Sequence, residues 1–277
     1  MIKFFSDKTS FDLRNAFFLA NASKLAYSPA PRVKRDVVSI LGLDKVRFIA
    51  KEDTQLFIAQ SSESIVVAFR GTQPNKIKDW LTDADCRFLK SPLGEVHQGF
   101  YEALQRVWSN IDLTIKTYQD NSQKLWFTGH SLGGALAMLS AAMFLDEPEK
   151  VGGLYTFGQP RVGDVSFAKR FDKVLKERVF RFVNNNDIVP RVPPRAMKYA
   201  DAGQFRYFNI FGQMFSDIKT WQLFLDSIEG FAEKGISRFS ELKQLSTIYP
   251  LIDGLEDHDM DNYIANIERN FKADKEI

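Results

Sequence analysis

The strongest chemical signal in the chain is the pentapeptide Gly129-His130-Ser131-Leu132-Gly133. Residues 124–128 before it read as a strand and residues 135–145 after it as an apolar helix. That context puts the serine on a sharp strand-to-helix turn. Such a turn strains the serine backbone and leaves no room for Cβ atoms on either side, so glycine is required there. Gly134 and Ala135 keep the following helix thin, and its N-terminus favours negative charge developing near Ser131. A serine that merely caps a helix is the plainer alternative. Strand and helix together favour a nucleophile.

A serine hydroxyl needs a general base to be nucleophilic near neutral pH, and the base needs a group that fixes its tautomer. The sequence offers three histidines. His130 shares the turn with Ser131, so its side chain leaves in another direction. His97 precedes the serine, against the Ser, Asp/Glu, His order expected for a nucleophile on such a turn. His258 follows in order, within the polar stretch Glu256-Asp257-His258-Asp259, and is the base by elimination. The orienting acid belongs at the end of a strand between Ser131 and His258. Asp187 follows a predicted strand at 179–183, where Asn184, Asn185, Asn186 and Pro190 stop the strand and sheet sites gather. Asp164 and Asp201 compete, the first at a helix start and the second in a turn.

Acyl transfer also needs donors aimed at the carbonyl oxygen as it becomes negative. The Leu132 amide is one. A second candidate is Thr72, in Arg70-Gly71-Thr72-Gln73 after a predicted strand at 65–69; it has both an N–H and a hydroxyl. An ordinary turn threonine is the alternative there.

The elements that must position these groups follow from periodicity. Leu13, Ala16, Phe17, Leu19 and Ala20 predict a helix over 11–27, and Phe100, Leu104, Val107, Trp108, Ile111 and Ile115 an amphipathic one over 99–118. Residues 56–60, 154–157 and 179–183 read as further strands, with a helical pattern around Phe167, Phe171 and Leu175. Strands alternating with helices predict an α/β domain with a mainly parallel sheet. A chain of 277 residues, 44% hydrophobic and 26% charged, suffices for one such domain. Its 37 Lys and Arg against 35 Asp and Glu argue against a nucleic-acid partner. The single cysteine, Cys86, excludes an intrachain disulfide, and with three histidines leaves little for a transition-metal site. No metal and no organic cofactor is expected. The charged start and the lack of about 18 consecutive apolar residues predict neither a signal peptide nor a spanning helix, so the cytoplasm is the simplest compartment, with secretion without a cleaved leader as the alternative.

Four motifs, taken in order, resemble those of the class 3 lipase family, the fungal-type lipases and their plant and bacterial relatives. They are Phe69-Arg70-Gly71-Thr72, Val96-His97-Gln98-Gly99-Phe100, Gly129-His130-Ser131-Leu132-Gly133-Gly134 and Asn186-Asp187-Ile188-Val189-Pro190. The resemblance implies an α/β-hydrolase fold, a mainly parallel central sheet flanked by helices, with a lid and a helical insertion. It implies a serine esterase or lipase acting on acylglycerol-like or polar lipids through an acyl-enzyme. Ser131, Asp187 and His258 would form the triad, Thr72 and Leu132 the oxyanion hole, and His97 would be structural. A soluble short-chain carboxylesterase or acyltransferase would use the same residues; a non-catalytic lipid-binding protein would lack a working triad. Without the leader and disulfides of secreted fungal members, the chain reads as a bacterial or plant-like intracellular one.

The family's lid corresponds to residues 73–94, where Ile77, Trp80 and Leu81 share one side of a short amphipathic pattern. Such a helix covers an apolar cleft in water and lies on lipid when open. The expected partners are therefore a lipid or ester substrate and, transiently, a membrane or lipid-droplet surface. Residues 208–251 place Phe211, Phe215, Ile218, Leu225 and Ile228 at helical spacing and predict a helical insertion or cap; an extra helical hairpin burying its aromatics is the alternative. Asp257, Asp259, Asp261 and Glu268 fall at calcium-loop spacing, but Asn262 stands where that loop needs glycine, so the spacing is read as coincidence.

Overall fold

The computed structural model describes residues 1–73, 76–77, 86–120, 122–216 and 251–273. Helix α1 (Leu13–Leu25) starts where the Asp12 side chain accepts the Arg14 N–H, and α2 (Ala30–Asp36) follows Pro29. Strands β1 (Lys45–Lys51), β2 (Thr54–Gln60) and β3 (Ser64–Phe69) form an antiparallel meander. After β4 (Phe88–Ser91) and β5 (Gly94–His97) comes the amphipathic α3 (Gln98–Tyr118). Next are β6 (Lys124–His130), α4 (Leu132–Ala142), β7 (Val151–Phe157), β8 (Gly163–Asp164), α5 (Val165–Leu175) and β9 (Val179–Asn184). The described chain ends with β10 (Tyr199–Ala200), β11 (Gln204–Phe208), β12 (Met214–Phe215), α6 (Leu251–Glu256) and α7 (Met260–Ala273).

The main sheet runs β1-β2-β3-β6-β7-β9-β11-β12. Pairs from β3 to β11 are parallel and those toward both edges antiparallel, which is the mainly parallel α/β-hydrolase sheet expected. A second, four-stranded antiparallel sheet, β10-β8-β5-β4, was not foreseen. Alternation along the central strands explains why both faces are apolar. Ile65, Val67, Phe69, Leu125 and Phe127 pack under α3, α4 and α5, whereas Val66, Ala68, Trp126, Tyr155 and Phe157 pack under α1 and α7. Helix α4 packs on β3, β6 and β7 beside α3, which lies on β1 and β2, and every residue of α4 after Leu132 is buried, which suits its all-round apolar sequence. Among the described residues no helix is long and apolar enough to cross a membrane.

One expectation needs correction. The start of the 208–251 stretch is a hairpin, not a helix: Tyr207 pairs with Phe215 and Phe208 with Met214. Turn chemistry overrides the aromatic spacing. The Asn209 side-chain oxygen accepts the Phe211 and Gln213 amides at 3.0 and 2.9 Å, and Gly212 takes φ +72°. The rest of the predicted cap, residues 217–250, lies outside the described residues, as do Trp80 and Leu81 of the predicted lid.

Candidate active site

Three neighbouring parallel strands, β6, β7 and β9, deliver the site at their carboxyl ends, where open α/β sheets place their ligands. Ser131 follows β6 directly and caps α4 at φ +58°, ψ −133°, a strained turn for a non-glycine residue. Its amide donates to the Phe157 carbonyl at 2.9 Å, which fixes the turn against β7. The flanking glycines are sterically obligatory: a Cβ on Gly129 would lie 2.3 Å from the Gly133 carbonyl group, and one on Gly133 2.4 Å from the Phe69 carbonyl oxygen. The Ser131 side chain is fully buried, and its Oγ has no hydrogen-bond partner among the described residues.

Asp187 sits in the turn after β9 and is fully buried. Three donors converge on its carboxylate. Val189 N–H reaches Oδ1 at 2.9 Å; His258 Nδ1 and the Tyr263 hydroxyl reach Oδ2 at 2.8 and 2.5 Å. Because a carboxylate only accepts, Nδ1 of His258 carries the proton and Nε2 holds the lone pair. That Nε2 is also buried without a partner among the described residues. The acid–base half of a triad is therefore assembled, while Ser131 Oγ and His258 Nε2 make no hydrogen bond to each other, as is common before a substrate is bound.

Further groups hold this arrangement. Asn184, Asn185 and Asn186, read above as strand stoppers, also tie the His258 loop to the Asp187 turn. Asn184 Nδ2 donates to the Asp257 carbonyl, while Asn185 Nδ2 and Asn186 N–H donate to the Asp257 carboxylate, at 2.9, 2.9 and 3.0 Å. Tyr263 accepts the Asn184 amide at 3.0 Å while donating to Asp187; burial, then the Asp187 charge, push its own hydroxyl well above the usual tyrosine range. Gly158, after β7, has φ +58° and lies under the pair: a Cβ there would sit 2.7 Å from His258 Nδ1 and 2.8 Å from Asp187 Oδ2. Sequence reasoning missed Tyr263 and Gly158. A tyrosine on the helix after the base and a glycine after a strand were the only signals available.

Leu132 opens α4, so its amide is one of the free donors of a helix N-terminus. Thr72 is half-buried, next to Gly71, whose added Cβ would lie 2.9 Å from Ser131 Cβ. The competing residues are engaged elsewhere. His97 stacks on Phe100 with ring centroids 3.8 Å apart, within the second sheet. Asp164 caps α5, accepting the Phe167 amide at 2.8 Å. Asp201 takes Arg161, Arg181 and Arg195 at 3.2, 3.0 and 2.9 Å. Burial alone would raise its carboxyl, but the three guanidiniums outweigh this and hold it well below the usual carboxylate range. The carboxylates at calcium-loop spacing diverge: Asp259 accepts the Asp261 amide, Asp261 pairs with Lys24, and Glu268 with Lys272. Among the described residues no group of three metal-binding side chains forms.

A cleft of about 940 Å³ opens at His258, lined in part by Leu25, Tyr27, Ile40, Ile77, His130 and Leu255. Polar and charged side chains, including Lys24, Arg32, Asp36 and Asp261, share its walls.

Residues 66–197 match the family model for lipase (class 3). The chain is 32% identical over 230 residues to the triacylglycerol lipase OBL1 of Arabidopsis thaliana, covering 62% of this chain and 44% of that protein. It is 35% identical over 165 residues to a lipase of Rhizomucor miehei, covering 55% and 44%. Among solved structures, a triacylglycerol lipase whose catalytic centre is described as a serine protease triad superposes with TM-score 0.56 at 27% identity, covering 71% of this chain and 80% of that one. Over that matched region the chain resembles the class 3 lipase family. It spans about half the length of the curated relatives it matches. The family match contains Thr72, Ser131 and Asp187 but ends before His258, so the place of that histidine rests on its bond to Asp187.

Proposed function

We propose that the chain is a serine ester hydrolase of acylglycerol-like lipids. The observation that carries this reading is the buried His258–Asp187 pair at 2.8 Å, with a free imidazole nitrogen, beside a serine on a strained turn. His258 Nε2 takes the Ser131 proton as Oγ attacks the ester carbonyl, and Asp187 stabilises the imidazolium that forms. The Leu132 and Thr72 amides receive the oxyanion, each worth roughly 3 kcal/mol in such sites. The alcohol departs with the proton from His258, and water activated by the same imidazole then releases the fatty acid. A lipid substrate is favoured by the names of the relatives and by the apolar part of the cleft wall. Esters of p-nitrophenol of increasing chain length, with and without dispersed lipid, test it. Long chains at an interface should react fastest; a preference for short soluble esters would instead mark a carboxylesterase.

Ser131 has no exposed surface, so an ester reaches it only after a covering segment withdraws. Ile77, from the expected lid, is buried against Val189 in a small cluster with Ile188, Val192 and Leu255. We assign Ile77 as an apolar latch on the closed state. Burying an isoleucine stabilises by about 1.5–3 kcal/mol, so Ile77→Ser should raise activity on soluble esters about tenfold and shrink the gain from added lipid. Unchanged soluble-ester rates would remove the latch.

A further inference from the structure

His130 is a buried titratable side chain that the proposed reaction does not use. Its ring turns to His258, with centroids 4.3 Å apart and planes inclined by 33°. His130 Nε2 lies 2.7 Å from the His258 backbone carbonyl, and its Nδ1 2.8 Å from the Tyr27 hydroxyl. The carbonyl can only accept, so Nε2 carries the proton; Nδ1 of the neutral ring is then an acceptor, and Tyr27 donates to it. Burial, and after it the neighbouring His258, push the His130 imidazole well below the usual histidine range, against the opposing pull of its bond to the carbonyl. The Tyr27 oxygen in turn is met by the Gly71 amide, and a Cβ on Gly71 would lie 2.4 Å from both that oxygen and the His130 carbonyl oxygen.

We propose that Tyr27 and His130 form a positioning relay, in which the Tyr27 hydroxyl locks His130 into the tautomer that grips the His258 backbone and keeps its ring neutral against His258. The inference rests on the esterase reading above, since it names what holds that base. The tautomer matters twice. A proton on Nδ1 would set two lone pairs, Nε2 and the carbonyl oxygen, against each other and release the His258 loop. A positively charged His130 would oppose the imidazolium that His258 becomes as Ser131 attacks. Through Gly71, the same hydroxyl also abuts the segment that carries Thr72. One phenol just past the end of α1 thus touches the supports of both the base and the second oxyanion donor.

The test combines kinetics with imidazole nitrogen shifts on the full chain. Tyr27→Phe keeps the ring in the cleft wall, so kcat on p-nitrophenyl butyrate should fall about tenfold with KM within about twofold and little change in melting temperature. His130→Leu should lose about a hundredfold, whereas His130→Gln, which retains an amide donor near the Nε2 position, should recover most of that loss. In the parent protein His130 should show a protonated Nε2 and an acceptor-type Nδ1, and Tyr27→Phe should shift both nitrogens. Full kcat in Tyr27→Phe, equal damage in the Leu and Gln variants, or a proton on Nδ1 would each overturn the relay. An inactive parent that also resists a fluorophosphonate label would remove the esterase reading instead, and the nitrogen shifts would still decide the relay.

Discussion

Replacing Ser131 with alanine should lower ester turnover roughly a million-fold, about 8 kcal/mol of transition-state stabilisation, without destabilising the fold. Both halves of that expectation come from one atom. Oγ is the only group on the strained turn able to form the acyl bond, so nothing replaces it. The same Oγ is buried with no hydrogen-bond partner among the described residues, so its removal breaks no native hydrogen bond there. A buried hydroxyl without a partner costs about 1–3 kcal/mol, and alanine keeps the same Cβ at φ +58°. The melting temperature should therefore stay level or rise by a few degrees. Fluorophosphonate labelling, turnover and a thermal melt check it together. Residual turnover above about a thousandth of the parent, or a clear fall in melting temperature, would mean that Ser131 serves the fold and not the chemistry.

How much of this site was legible in the sequence depends on the distance over which each feature is specified. The nucleophile turn is local: two glycines, a strand before and a helix after fix Ser131 within a dozen residues, and the structure shows that arrangement. Asp187 and His258 were reachable through chain order and strand ends, since the central strands are apolar enough to be read directly. What escaped were contacts set by packing between distant segments. Tyr27 meets His130 across 103 positions and Tyr263 meets Asp187 across 76, and no spacing rule connects either pair. His130, set aside as base, has both ring nitrogens engaged, and its ring lies against His258. The hairpin at 208–215 was misread because aromatic residues three and four apart fit a helix as well as two short strands around a turn; Asn209 and Gly212 were the better witnesses. The second sheet was overlooked for a related reason: β8 and β10 are only two residues long, below any period that a pattern can show.

Asp187→Asn should lower kcat about ten-thousand-fold while leaving the cleft and the fold in place. The size follows from which proton the amide dictates. In the native site every partner of Asp187 is a donor: Val189 N–H on Oδ1, and His258 Nδ1 with the Tyr263 hydroxyl on Oδ2. An asparagine keeps one oxygen and turns the other into a donor, and it can face two ways. With its NH2 toward Val189, two N–H groups confront each other and neither is satisfied. With its oxygen toward Val189 and its NH2 toward His258, the conflict disappears, provided that Nδ1 accepts and the Tyr263 hydroxyl rotates to accept as well. That second arrangement leaves only the Tyr263 hydroxyl hydrogen without its acceptor, against two opposed N–H groups in the first, so it prevails, and it moves the imidazole proton to Nε2, the nitrogen meant to receive the Ser131 proton. The variant is thus folded, binds substrate, and holds its base in the wrong tautomer. Tyr263→Phe supplies the contrast: it removes one donor to the carboxylate but leaves Nδ1–H in place, so its loss should be nearer tenfold. Comparing kcat, KM and the His258 nitrogen shifts of the two variants separates tautomer control from simple packing. Equal losses in both, or an Asp187→Asn variant within tenfold of the parent, would show that the carboxylate at 187 does not set the proton on His258.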